Sequence, residues 1–167
     1  MGGRELDDLM KILTPRVPVL TLYARQWIDT ASAEDVVQEA LTRIFTQRHP
    51  PDDPLAWMFR TIRNAAIDVG RATSRRRRRE QAVAEARQEW FEPGVDTLID
   101  ARTAEQALSG LPVESRQIVI LRLWGDLGWA QIAELLGIGL STVHDRYGRA
   151  LQQMRQALEK PCSKTTR

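Results

Sequence analysis

The sequence has one cysteine in 167 residues, Cys162, near its C-terminal end. A lone thiol makes no disulfide framework and no cysteine-based zinc site. Histidine is almost as scarce: His49 and His144 lie far from any metal-ligand spacing, so the reading is of a chain with no metal and no cofactor. Long apolar runs are missing too. Residues 118–121 are apolar but meet Arg122, far short of the ~18 residues of a membrane span. The opening Met1-Gly2-Gly3-Arg4-Glu5 has no apolar core of a secretory signal. Leu6 stands where a myristoylation motif needs Ser or Thr. These absences predict a cytoplasmic chain without membrane insertion. No segment alternates apolar and polar residues long enough to argue for strands.

What is present is charge in blocks. The net charge is only +2. Residues 1–59 carry 6 basic and 9 acidic groups, and residues 60–79 carry 8 and 1. Residues 80–105 carry 2 and 7, and residues 106–167 carry 8 and 5. Such alternation suits a chain that meets polyanions with some surfaces and proteins with others.

The remaining pattern is helical throughout. Residues 18–28 are mostly apolar, with Tyr23 and Trp27, and read as a buried helix. Ser32 with Asp35 three residues on resembles a capping box. Val36, Val37, Ala40, Leu41, Ile44 and Phe45 then form one apolar stripe, ended by His49-Pro50-Pro51. Asp53 caps a further helix with Pro54 at its first position. Leu55, Met58, Phe59, Ile62, Ala66 and Val69 are its core stripe, and it runs on into five arginines at 75–79. The acidic stretch that follows, with Phe91-Glu92-Pro93-Gly94, reads as a linker, and a domain boundary is placed near residue 95. A second domain opens at Leu111-Pro112 with a helix carrying Ile118, Leu121 and Trp124, broken by Gly125 and Gly128. A helix from Trp129 to Leu136, a turn at Gly137, and a helix from Ser141 follow. Val143, Tyr147, Ala150, Leu151, Met154 and Leu158 are predicted to line the buried face of the last helix. The expected fold is all-α, two small helical domains joined by an acidic linker: 1–80, linker 81–105, 106–160, and a tail at 161–167.

Three polar faces remain. Two short helices about a glycine turn make a helix-turn-helix, held by Ile132, Leu136, Val143 and Leu151, with small Ala133 at the crossing. Its second helix shows Thr142, His144, Asp145, Arg146, Gly148 and Arg149 outward, where such helices meet base edges and phosphates. Opposite the core stripe of the Pro54 helix sit Trp57, Arg60, Thr61, Asn64 and Asp68, flanked by Arg63 and Arg71. An aromatic, an amide and arginines on one face suit single-stranded nucleic acid; a solvated basic helix with Trp57 packed on a neighbour is the plainer alternative. Asp35, Gln38, Glu39 and Thr42 form an acidic face that could dock a protein or could merely favour the helix dipole.

Together these segments resemble the extracytoplasmic-function (ECF) group of bacterial RNA polymerase sigma factors. Ala33-Glu34-Asp35-Val36-Val37-Gln38-Glu39-Ala40 is similar to the DxxQE segment of region 2. The stretch from Trp57 through Arg60 and Asn64 to Asp68 is similar to the segment after it. Leu111-Pro112 through Arg116 resembles the opening of region 4, and Ile132 to Ala150 its helix-turn-helix. The resemblance implies a non-enzymatic subunit that directs core polymerase to promoters. It implies polymerase binding at Asp35, Gln38 and Glu39, toward the β′ clamp helices, with the β flap a further expected contact. It implies capture of the melted −10 element by Trp57, Arg60, Arg63, Asn64 and Asp68. It implies −35 reading by Thr142, His144, Asp145, Arg146 and Arg149, with Arg116 near the phosphates. Control by an anti-sigma factor is a further implication. The sequence departs from the pattern at Gln131, where the family often has Glu, and at Gly148, where a bulky residue is common. A stand-alone helix-turn-helix regulator would explain residues 106–158 but not the acidic face beside the Trp57 helix. A metal nuclease built on Asp52, Asp53 and Asp68 lacks a His or Glu partner placed by motif.

Overall fold

A computed structural model describes residues 3–80 and 107–159. Seven α-helices are complete in these residues: α1 Gly3–Leu13, α2 Val17–Ala24, α3 Thr30–Thr46, α4 Pro54–Glu80, α5 Val113–Leu123, α6 Trp129–Leu136 and α7 Leu140–Glu159. No strand occurs among the described residues. The linker at 81–105, the boundary near 95 and the tail lie outside them.

Helices α2, α3 and α4 pack around Leu20, Tyr23, Ala33, Val37, Ala40, Ile44, Met58, Phe59 and Ile62, all buried. Tyr23 is the aromatic centre. Its ring meets Phe59 edge-on at 5.2 Å and Trp27 edge-on at 5.3 Å. Gly70 lets α4 lie close to the turn after α2, because a Cβ there would sit 2.9 Å from the Trp27 carbonyl oxygen. Asp53 caps α4 as the spacing predicts, accepting from the Ala56 N–H at 3.0 Å, with Pro54 first in the helix.

The capping box expected at Ser32 is corrected. Asp29 is the cap of α3, accepting from the Ser32 N–H at 2.9 Å, and Ser32 lies inside the first turn. Asp29 wins because its extended backbone and two oxygens serve both the N–H and the Ser32 hydroxyl. The helix also stops at Thr46, before the prolines. Helix α1 was not foreseen, although Leu6, Leu9, Met10 and Leu13 follow helical spacing. Leu9 and Leu13 bury; Leu6 and Met10 stay exposed.

In the second half, α5, α6 and α7 pack around Ile118, Leu121, Leu127, Ile132, Leu135, Val143 and Ala150. Trp124 is corrected from core to surface: it follows the end of α5 and is 39% exposed. Leu151 and Leu158 are likewise exposed, with no cover from the other described residues. α7 begins at Leu140, one residue before the expected Ser141.

The turn of the helix-turn-helix is a left-handed cap. Gly137 has φ 67° and ψ 35°, and the Ile138 N–H reaches back to the Ala133 carbonyl at 3.1 Å. Nothing lies within 4 Å of a Cβ built there. Gly137→Ala therefore meets backbone strain without a clash and should cost about 1 kcal/mol, with Gly137→Asn milder. Thermal melts of the parent and the two variants check this; equal midpoints for the parent and the alanine variant would contradict it.

The two halves do not stand apart. α5 lies against α2 and α6 against α4, and the buried residues of both form one continuous apolar core.

Candidate polymerase and promoter interface

The stripe of α3 turns Val36, Val37, Ala40 and Ile44 inward and leaves Asp35, Gln38, Glu39 and Thr42 exposed. Glu39 pairs with Arg43 one turn on at 2.7 Å, and the Thr42 hydroxyl donates to the Gln38 carbonyl. Asp35 and Gln38 thus form the open part of this face.

On α4, Arg60, Asn64 and Asp68 are exposed, Thr61 and Arg63 are half-buried, and Trp57 is half-buried against the core. The plainer alternative for Trp57 is thus largely realised: part of its ring is packing. Beyond Gly70, Arg71 and Arg75 border a groove with Gln26, Trp27 and Ser74, which extends the basic surface along the helix. Asp53 and Asp68 are fifteen residues apart at one helix, about 22 Å along its axis, so they share no site.

On α7, His144, Asp145 and Arg149 are exposed and Thr142 and Arg146 half-buried, so the predicted recognition face is outward. Gly148 lies on it, with open space where a Cβ would stand. Asp145 and Arg149, one turn apart, form no ion pair with each other among the described residues. Trp129, at the start of α6, holds this face in place. The His144 ring lies against it at 4.6 Å, tilted by 43°, Tyr147 meets it edge-on at 4.9 Å, and the Arg122 guanidinium lies 4.6 Å above it. Sequence reasoning gave Trp129 no role; its place three residues before Ile132 marked only a helix start.

Arg116, expected near the phosphates, is half-buried and also serves the turn before α5. Its guanidinium donates to the Ser109 carbonyl at 3.2 Å and the Leu111 carbonyl at 2.8 Å, closing the turn before α5. Burial pushes its pKa below the usual arginine range.

Two of the contacts between the halves fall on the predicted α4 face, at Arg60 and Arg63. Arg60 pairs with Glu134 of α6 at 2.7 Å. Arg63 Nε donates to Gln117 Oε1 at 3.2 Å, and the Tyr23 hydroxyl donates to the same oxygen at 3.3 Å. Gln117 is buried, and burial raises the Tyr23 pKa, with Arg63 pulling the other way. Gln131 Nε2 donates to Asp53 Oδ2. Arg16 reaches the Trp124 carbonyl at 3.1 Å and Asp126 at 3.2 Å. None of these pairs is visible in sequence periodicity, since their partners are 54 to 110 residues apart.

Family models match both halves: the sigma-70 region 2 family over residues 16–80 and the sigma-70 region 4 family over residues 101–154. The RNA polymerase sigma factor SigV of Bacillus subtilis is 31% identical over 132 residues, covering 77% of this chain and 76% of that protein. The ECF RNA polymerase sigma factor SigE of Mycolicibacterium smegmatis is 32% identical over 139 residues; the match covers 80% of this chain but only 54% of that longer protein. Among solved structures, the sigma factor RpoE of Bartonella quintana, crystallised with the anti-sigma factor NepR, has the same fold. Its TM-score is 0.69 at 20% identity, over 92% of this chain and 98% of that one. Region order, helix order and sequence relatives agree, and the chain belongs to the extracytoplasmic-function RNA polymerase sigma factors.

Proposed function

We propose that this sigma factor binds core RNA polymerase through Asp35, Gln38 and Glu39 of α3 and reads promoters with its other two polar faces. The −10 element is taken as single strand by α4, through Arg60, Arg63, Asn64 and Asp68, with Trp57 contributing the open part of its ring. The −35 element is read as duplex by the start of α7, through Thr142, His144, Asp145, Arg146 and Arg149. In this reading residues 1–80 are the polymerase and −10 unit, 81–105 the acidic linker and 106–160 the −35 unit. The chain acts in the cytoplasm as a specificity subunit, performs no chemistry itself, and is a candidate for control by an anti-sigma factor. No described helix is long and apolar enough to cross a membrane.

The observation that carries this is the pair of open polar faces in one chain, one on α3 and one on α7. A stand-alone regulator accounts only for the second. Co-purification with core polymerase followed by run-off transcription tests it. A chain that shifts duplex DNA alone and never joins polymerase would be a regulator instead.

The recognition face allows a sharper expectation. Since Asp145 does not pair with Arg149, its carboxylate is available to accept from a cytosine amino group while Arg149 donates to a guanine. Each such contact is worth ~1–3 kcal/mol of base discrimination. An acid among phosphates otherwise weakens binding. Asp145→Ala should relax the −35 preference at one position with affinity for mixed DNA equal or higher, and Arg149→Ala should lose both. Selection from a randomised −35 library with each variant reads this out; an unchanged base profile for Asp145→Ala rules out direct readout.

A further inference from the structure

Trp129 lies on none of the three polar faces, yet two side chains of the α7 recognition helix converge on its ring. We propose that Trp129 is a positioning residue for −35 reading: its indole fixes the orientation of His144 before DNA arrives, so that His144 recognises a purine from a preset pose. The platform itself rests on ring geometry alone; what it does at a promoter rests on the −35 assignment above.

Three elements assemble the platform. Trp129 is the first residue of α6, and the cap beside it sets its backbone, with the Gly128 N–H donating to Gln131 Oε1. His144 and Tyr147 are three residues apart on α7, so they project from one side of that helix and reach the indole together. The His144 ring centre lies 4.6 Å from the indole, tilted by 43°, and the Tyr147 ring meets it edge-on at 4.9 Å. Both separations are ones at which aromatic rings attract each other. Arg122, in the last turn of α5, adds a cation over the indole at 4.6 Å, while its Nη1 donates to the Leu127 carbonyl at 3.0 Å. The turn before α6 and the indole are thus tied to the same guanidinium. Trp129 and Tyr147 are half-buried and pack on the core as well.

The consequence falls on His144. It is exposed, as a residue that touches a base must be, but its ring is not free to sweep. The side chains of Asp145 and Arg149 carry no such restraint: they make no hydrogen bond, ion pair or ring contact among the described residues. A neutral imidazole offers one N–H donor, and N7 of either purine accepts in the major groove. A side chain already held in its bound pose loses less freedom on binding, which is worth roughly two- to tenfold for the base it contacts. Loss of the indole should therefore blur one base pair and leave the rest of the element alone.

The scarcity of histidine makes the platform measurable. The chain has only His49 and His144, and His49 is exposed. In proton NMR of the free full-length chain, the indole ring current should displace the His144 ring protons from the His49 positions, with a nuclear Overhauser contact to Trp129. W129L should return them to the His49 positions; W129F, which keeps an aromatic ring, should leave them displaced. Selection from a randomised −35 library with core polymerase then reads the effect on promoters. H144A should flatten a purine preference at one position. W129L should flatten the same position roughly two- to tenfold and spare the others, and W129F should keep it. The double variant W129L/H144A should be no flatter there than H144A, because Trp129 acts through His144. Since Trp129 is half-buried, W129L also lowers stability; weakening of every position alike would make its role merely structural and overturn the positioning. His144 ring protons that coincide with those of His49 in the parent also overturn it. So does a W129L profile that keeps the position H144A flattens. If W129L abolishes the ring displacement but H144A changes no position, the platform stands and the −35 assignment of His144 falls.

Discussion

Replacing Asp35 and Gln38 together by lysine should abolish co-purification with core polymerase while the fold survives. Both side chains are exposed on α3, and the residues that hold that helix, Val36, Val37, Ala40 and Ile44, lie on its opposite side. The cap at Asp29 is untouched. Surface changes away from such features usually stay within about 0.5 kcal/mol, so the thermal midpoint should barely move. Binding should fall much further. A docking face that presents an acid and an amide is converted to two cations, and like charges across an interface cost several kcal/mol. At about 1.4 kcal/mol per factor of ten, that is a loss of a hundredfold or more. A double variant that still co-purifies at parental level would remove α3 as the docking element. A variant that loses both binding and its melting transition would say nothing about docking, which is why Glu39 is left in place to keep its pair with Arg43.

Asn64→Ala should impair promoter opening far more than recruitment to the promoter. Asn64 is exposed on α4, away from Met58, Phe59, Ile62 and Ala66, so truncating it leaves the core intact. Its amide can offer both a donor and an acceptor to a base edge, and base edges on this face become accessible only after strand separation. Losing one or two such bonds costs ~1–3 kcal/mol, or roughly five- to 150-fold in the stability of the open complex. Permanganate reactivity of the −10 thymines should drop accordingly, while protection of the −35 duplex stays near normal. Equal permanganate footprints for variant and parent would contradict the assignment. Trp57 is the poorer probe. Its half-buried ring belongs partly to the core, and Trp57→Ala would confound opening with unfolding.

Local chemistry was legible in the sequence. The Asp53-Pro54 start of α4, the ends of α6 and the glycine turn after it all follow from residues within four positions of one another. The apolar stripes of α3 and α4 were readable for the same reason, since period and burial coincide in them. The misreadings share a different cause. Leu151 and Leu158 continue the apolar spacing of α7, but periodicity cannot tell whether a neighbouring helix extends far enough to cover it. Asp29 and Ser32 are both good caps, and the choice turned on backbone conformation. Arg116 is a separate case: two carbonyls of the preceding turn hold its guanidinium, which its place in the region 4 opening does not reveal. Gln117 and Gln131 were silent or merely anomalous, because their partners belong to the other half of the chain.

The ion pair between Arg60 and Glu134 bears on how promoter binding should respond to salt. A cation that lands on DNA displaces condensed counterions, and their release makes affinity fall steeply as salt rises. Arg60 does not arrive bare. To reach a phosphate it must leave the Glu134 carboxylate, and breaking that pair costs more at low salt than at high salt. An exposed ion pair is itself screened as salt rises, so leaving it costs less at high salt and part of this arginine's contribution to the slope is offset. The slope of log affinity against log salt should be shallower than a count of arginines on α4 implies, by some part of the roughly 0.7 that one single-stranded phosphate contact contributes. A sigma factor that exchanges an internal anion for an external one in this way keeps its promoter preference steadier as the ionic strength around it changes.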